Sequence, residues 1–212
     1  VLRSPHPHAL IKSIDTSKAE KLPGVKVIAT GKDFPERMGL YLKDKTIFAL
    51  DRVRFIGEPV AAVAAVNDEI AIKACELIEV EYEVLEAVFD AEFGVSEKAP
   101  LIHPKLGEYY CPNYLFPKPG TNISNHFKIR RGNFEEAWKQ CAHIVERIYK
   151  VPHIQHVPIE THVAVAKMDE KGKLTIWASS QSPFAQRNII SQALHITQTD
   201  LRVIAPLVGG GF

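Results

Sequence analysis

This chain has almost no charge of either sign in excess. Lys and Arg number 26 against 25 Asp and Glu, a formal net charge of +1 over 212 residues. Such a balance removes the electrostatic case for nucleic acid or for an acidic membrane surface. No run of about 18 apolar residues occurs, so no membrane span is expected. The opening V-L-R-S-P-H-P-H has no apolar core of a secretion signal, and a cytoplasmic location is the expectation. Cysteine is scarce: Cys75, Cys111 and Cys141 lie too far apart for a metal knuckle or a C-x-x-C pair. They cannot hold an iron–sulfur cluster either. A sparse, odd count suits a reducing compartment, with buried thiols serving as small hydrophobes. No strand–GxGxxG–helix unit, Walker loop or G-x-S-x-G elbow is present, which leaves the common dinucleotide, phosphate and nucleophile motifs without a candidate. Position 1 is not methionine, as expected of a processed subunit or of a fragment.

What is present is an ordinary globular balance, 46% apolar and 24% charged, in a length that fits one large or two small domains. Alternation from Leu10 to Ile14 predicts a strand. The stretch Ser17 to Glu20 reads as a capping box, closed by Pro23-Gly24. Strands are expected at Val25–Ala29 and Val60–Val66. They flank a polar, irregular stretch over 30–46 and the lead-in Val53–Ile56. Asn67 or Asp68 can cap a helix whose Ile70, Ala74, Leu77 and Ile78 share one apolar face, followed by an alternating strand at Val80, Tyr82 and Val84. These elements form a compact α+β unit over about 1–95.

Pro100, Pro104, Gly107, Pro112 and Pro117 break any period, so 96–125 reads as a linker. It contains a glycosylation-type triplet at Asn122, discounted for want of a secretion signal. A second unit over 126–212 opens with a helix capped by Asn133, with Phe134, Ala137, Trp138 and Cys141 on one face. Strands are expected at Ile144–Val151, Val163–Met168 and Leu174–Ala178, the last two joined by a hairpin turn over Asp169–Gly172. Ser182-Pro183 starts a helix that runs to about Leu194, and a strand at Leu201–Ala205 follows.

Four features could carry chemistry. The strand ending near Ala205 delivers three consecutive glycines, Gly209 to Gly211, and then Phe212. Adjacent glycines lose the most backbone entropy on folding, so they either form a flexible end or a nest of N–H groups suited to an anion. The stretch 152–162 gathers His153, His156, Glu160 and His162. Pro158 forbids a helix that would align them, so they read as a zinc site on an extended chain or as the polar lining of a cavity. Gln181 lies just before a helix start, where its amide can donate to an oxygen without adding charge, or can simply be solvated. His6 and His8, one residue apart, would share a strand face as a two-histidine pair.

Taken in order, R-S-P-H-P-H-A at 3–9, L-P-G-V at 22–25, G-E-P-V-A at 57–61, E-Y-E-V-L at 81–85 and G-N-F-E-E-A-W at 132–138 form a pattern. H-V-P-I-E-T-H at 156–162, W-A-S-S-Q-S-P-F at 177–184 and V-G-G-G-F at 208–212 complete it. The chain resembles the large subunit of the molybdenum hydroxylases: the xanthine dehydrogenases, aldehyde oxidases, and carbon monoxide and nicotinate dehydrogenases. The resemblance implies an α/β hammerhead domain over 1–95, then the beginning of an α+β molybdopterin-binding domain. It implies an oxidoreductase that hydroxylates an electron-poor carbon with water as the oxygen source. The cofactor implied is molybdenum–molybdopterin, in its cytosine dinucleotide form, with [2Fe–2S] clusters and FAD on partner domains or subunits.

By the same resemblance Gln181 hydrogen-bonds an oxo ligand of the metal, and Gly210, Gly211 and Phe212 form a loop packed on the metal centre. A general-base glutamate expected further along is not among these residues, so the chain is expected to be inactive alone. It would need the remaining molybdenum-domain segment and the iron–sulfur and flavin subunits as partners. A non-catalytic scaffold of the same fold, or a zinc protein using His153, His156 and His162, are the rival readings. The identity of the small-molecule substrate does not follow from these residues.

Overall fold

Asn67 accepts the Ile70 N–H at 2.9 Å and so caps helix α2, Asp68–Leu77. The helix is preceded by strand β5, Pro59–Ala65, and followed by β6, Glu79–Val84. This is the centre of the first unit in a computed structural model that describes residues 1–211. Around it stand β1 (Leu2–Arg3), β2 (Ala9–Asp15), helix α1 (Ser17–Glu20), β3 (Val25–Thr30) and β4 (Arg52–Val53). They make two three-stranded antiparallel sheets, ordered β1-β5-β3 and β4-β2-β6.

The core of this unit is built from small residues. Ala19, Ala61, Ala74 and Ile78 form one buried cluster; Ala9, Ala49, Val53 and Val60 form another, and Ile14 and Val80 pack against both. Alanines at these positions bring the two short helices close to the sheet. Gly24 shows how tight the approach is. It takes φ +97, and a Cβ there would lie 2.7 Å from the Ile70 Cδ1.

Several expectations are corrected here. The capping box at Ser17–Glu20 does not form: Asp15 Oδ1 accepts the Ser17 N–H at 2.9 Å, while the Thr16 hydroxyl donates to Glu20. The shorter aspartate side chain reaches the first free N–H before any box can close. His6 and His8 do not pair. His8 is buried between Glu86 O at 2.6 Å and the Arg52 guanidinium at 2.8 Å, and His6 lies edge-on to Tyr82. The cysteines are not buried: Cys75 and Cys111 are half-buried and Cys141 is exposed.

The stretch 96–125 is irregular apart from one 3-10 turn at Leu106–Glu108, yet it is tied down. The Asn122 side chain accepts the Ile102 N–H and donates to Gly94 O and Pro100 O. Leu106 and Tyr109 pack with Leu42 in a third small core. A short helix, α3 (Ala91–Gly94), precedes it.

Helix α4, Phe134–Gln140, is capped by Asn133 as its spacing predicts. Its apolar face is nevertheless open to solvent, with Phe134 71% and Trp138 45% exposed and their rings packed on each other. The strand expected at 144–151 is absent, and Ile148, Tyr149 and Val151 are all exposed. A strand needs a neighbour for its N–H and C=O groups, and no described strand pairs with this segment.

Regular structure resumes with β7 (Ala164–Met168), β8 (Leu174–Ala178), α5 (Pro183–Ala193) and β9 (Leu201–Ile204). Strand β7 pairs antiparallel with β8 through a turn in which Asp169 Oδ1 accepts the N–H groups of Lys171 and Lys173. Strands β8 and β9 are parallel. Helix α5 is therefore the crossover that parallel neighbours require. This β8-α5-β9 unit positions the candidate site at the end of β8 and the start of α5.

The two units touch through the 36–46 loop. Glu36 Oε1 lies 2.7 Å from His195 Nε2, and the Lys43 ammonium donates to Gln192 at 3.2 Å.

Candidate functional site

A cavity of about 790 Å³ opens where β8 runs into α5, within the size range of small-molecule and cofactor pockets. Ser179, Ser180, Gln181 and Ser182 form one wall, as the exit of the strand and the entry of the helix. Gly210 and Gly211, delivered by β9, form a second. Pro158 and Glu160 to Val163, reaching β7, form a third. The fourth is Leu40 from the first unit, with Ile189 of α5 beside it.

The helix start supplies positive potential to this space. Pro183 at the first position of α5 has no N–H, and the Ser182 side chain makes no cap bond. The next N–H groups of the turn thus have no side-chain acceptor among the described residues, at the positive end of the helix dipole. One turn on, Gln186 Oε1 is buried in the cavity wall with no partner among the described residues. A buried amide oxygen in that state calls for a donor.

Gln181 and the glycines, about thirty residues apart in sequence, meet here. A Cβ on Gly211 would sit 3.1 Å from Gln181 Oε1 and 3.5 Å from its Cδ. Backbone and amide are in near contact, and the glycine permits the approach. Phe212, singled out with them, lies outside the described residues.

Glu160 plays a part that its place in a histidine-rich stretch does not announce. Its Oε2 accepts the Gly209 N–H at 2.5 Å and the Ser179 hydroxyl at 3.0 Å. A Cβ on Gly209 would lie 2.6 Å from Glu160 Cβ. The expected anion nest is therefore partly filled by the protein's own carboxylate.

The zinc reading fails. His156, Glu160 and His162 do line the cavity, whereas His153 is not in its wall. Among the described residues no group of three or more His, Cys, Asp or Glu side chains is placed to hold a metal ion. Val157 adopts φ +50 next to Pro158, a left-handed turn that re-aims the segment and breaks the regular extended spacing a shared face requires.

Sequence reasoning also missed Leu40, hidden in a stretch that reads only as polar loop, and Gln186, whose signal was its place in the first turn of the helix that Gln181 precedes. The lining thus offers amide, hydroxyl, imidazole and backbone N–H groups beside the Glu160 carboxylate, which Gly209 and Ser179 already engage, and no thiolate among the described residues. A metal seated here would have to bring its own ligands, since no group of three or more His, Cys, Asp or Glu side chains among the described residues is placed to hold it.

Two family models match the chain. Residues 1–86 match the a/b hammerhead domain of aldehyde oxidase and xanthine dehydrogenase, and residues 115–212 match the molybdopterin cofactor-binding domain. The chain is 33% identical to the nicotinate dehydrogenase large molybdopterin subunit of Eubacterium barkeri, covering all of this chain and 47% of that protein. It is 34% identical to the carbon monoxide dehydrogenase large chain of Afipia carboxidovorans, covering all of this chain and 27% of that one. The crystal structure of the Cu,Mo-CO dehydrogenase in its carbon monoxide reduced state superposes over the whole chain. The TM-score is 0.82 at 33% identity, over 27% of that structure. The chain thus spans between about a quarter and a half of the length of these relatives.

Proposed function

The chain belongs to the aldehyde oxidase and xanthine dehydrogenase family of molybdopterin-binding large subunits, and from that premise we propose that it builds one side of a molybdenum cofactor site. The enzyme concerned is an oxidoreductase that hydroxylates an electron-poor carbon with water as the oxygen source. Residues 1–95 serve as the hammerhead domain, 96–125 as the connection, and 126–212 as the start of the cofactor domain.

The observation that carries this reading is the convergence of Gln181, Gly210 and Gly211 on one cavity that contains no metal-ligand cluster among the described residues. Such a donor set suits a cofactor that arrives with its metal already ligated. Gln181 would donate its amide N–H to an oxygen of that group, and Gly210, Gly211 and Phe212 would pack against it through backbone. Gln186 would take a hydrogen bond from it. Preorganised neutral donors in a partly enclosed site stabilise negative charge without reorganising. The bound molybdenum–pterin group, read here as the cytosine dinucleotide form, supplies the oxygen-transfer and electron-accepting chemistry.

The partners in this reading are the remaining molybdenum-domain polypeptide and the [2Fe–2S] and FAD subunits, in the cytoplasm, with a small molecule as substrate. Among the described residues no helix is long and apolar enough to cross a membrane. The test is molybdenum and pterin analysis of the complete subunit purified with its partners. The reading expects close to one of each per subunit and no turnover by residues 1–212 alone. A complex with neither metal nor pterin would restore the scaffold reading.

A further inference from the structure

The loop that carries Gly209 to Gly211 begins at the end of an edge strand, and nothing in its own sequence holds it in place. Glycines have no side chains to anchor, and Leu207 and Val208 point outward, 95% and 41% exposed. Its fixed point lies elsewhere. Glu160 Oε2 takes the Gly209 N–H at 2.5 Å and the Ser179 hydroxyl at 3.0 Å. One carboxylate oxygen thus joins the glycine loop to the exit of β8, two residues before Gln181.

We propose that Glu160 is a positioning residue, a carboxylate clamp that sets the glycine loop in register with Gln181. The inference rests on the cofactor-site reading above and names what holds that site together.

Three observations support it. First, the carboxylate binds both walls whose closeness defines the site, so losing it frees one from the other. Second, the loop has been shaped around Glu160, since any side chain on Gly209 would strike Glu160 Cβ and Oε2 at 2.6 and 2.7 Å. Third, the approach of Glu160 is itself constrained. Val157 holds φ +50 just ahead of it, an arrangement that a β-branched residue adopts only when the surroundings impose it. A charge-assisted bond to a backbone N–H is among the stronger hydrogen bonds available for such work.

The test uses the complete large subunit in its complex, comparing wild type with Glu160→Ala, Glu160→Gln and Ser179→Ala. Hydrogen exchange of the peptide spanning 207–211 reports the clamp directly. Molybdenum and pterin content report the cofactor, and kcat and KM report the reaction. Glu160→Ala is expected to speed exchange of the loop and lower kcat by about 10–100-fold, with a smaller change in KM. Glu160→Gln still offers a carbonyl oxygen to Gly209 and is expected to recover most of that loss. Ser179→Ala, which keeps the Gly209 bond, should fall between wild type and Glu160→Ala.

Wild-type exchange and kcat in Glu160→Ala would overturn the clamp, as would an equal loss in Glu160→Gln. If Glu160→Ala does not fold, Ser179→Ala decides, and wild-type exchange there overturns the proposal. A wild-type complex without molybdenum or pterin would sink the function reading instead. The exchange measurements would still judge the clamp.

Discussion

Glu160 and Gly209 lie forty-nine residues apart in the chain and 2.5 Å apart in space, joined by a carboxylate oxygen and a backbone N–H. The contact leaves no room for a Cβ on Gly209, which would sit 2.6 Å from Glu160 Cβ. The backbone of Gly209 needs no unusual φ, so the requirement for glycine here is steric rather than conformational.

Gly209→Ala should therefore force the two segments apart. Overpacking of this kind costs about 1–3 kcal/mol, borne by a loop with little else to hold it. The expected outcome is a subunit that folds with nearly unchanged thermal stability but loses bound molybdenum. Alanine at Gly211, whose Cβ would come nearest to the flexible Gln181 amide at 3.1 Å, should be milder on loop exchange. Metal analysis of the two variants side by side checks the difference, and equal metal content in both would refute the steric argument.

Gln181→Leu keeps side-chain size and removes the amide beside Gly211. If the amide donates to an oxygen of the cofactor, the loss is expected at about 10–100-fold in kcat or cofactor retention. Gln181 is exposed in this chain, so the change should barely move the melting temperature. A large drop in stability with unchanged kcat would assign Gln181 to the fold instead of the site.

Much of this architecture could be read from the chain. The cap at Asn67, the turn at Asp169 and the Ser182-Pro183 helix start all depend on neighbours within a few residues. Their physics is local, and the structure follows it. The approach of Gln181 to Gly211 could also be anticipated, because a strand, a crossover helix and a parallel strand bring those two ends together. What failed to show was non-local. The residues at 144–151 have the composition of a strand, but a strand exists only when another edge accepts it, and none does among the described residues. Glu160 looked like a metal ligand because histidines surround it in sequence. Its partners, Ser179 and Gly209, come from two other elements that no pattern connects to it. Leu40 reached the cavity from a polar loop of the first unit, placed there by the Glu36–His195 and Lys43–Gln192 contacts.

His8 is buried with both ring nitrogens in use. Glu86 O can only accept and the Arg52 guanidinium can only donate, so Nδ1 carries the proton and Nε2 is the acceptor. His8→Ala leaves the Glu86 carbonyl and one Arg52 N–H without partners. An unsatisfied buried group costs about 1–3 kcal/mol. A drop in melting temperature of several degrees is expected, with little change in cofactor content, since His8 lies outside the cavity. Calorimetry of the complete subunit measures it, and an unchanged melting temperature would show that water replaces the ring.

His103 offers a pH test of the seam between the 36–46 loop and the 96–125 stretch. Burial first, and then the nearby Arg54, Arg37 and Arg52 charges, push its pKa down from 6.5 to about 4, against a smaller opposing pull from Asp44. Its Nδ1 lies 3.1 Å from the Tyr109 hydroxyl, and Tyr109 in turn stacks under Arg37. A histidine whose folded pKa is depressed binds its proton more readily when unfolded. Its contribution to stability is therefore complete above the unfolded value of about 6.5 and is lost as the pH falls toward 4. The melting temperature of the complete subunit should decline between pH 6.5 and 4. His103→Asn, which keeps a polar side chain but cannot titrate, should flatten that decline while lowering stability at pH 7. Parallel slopes in wild type and variant would assign the acid sensitivity to other groups. A slope steeper in the variant would contradict the direction of the shift.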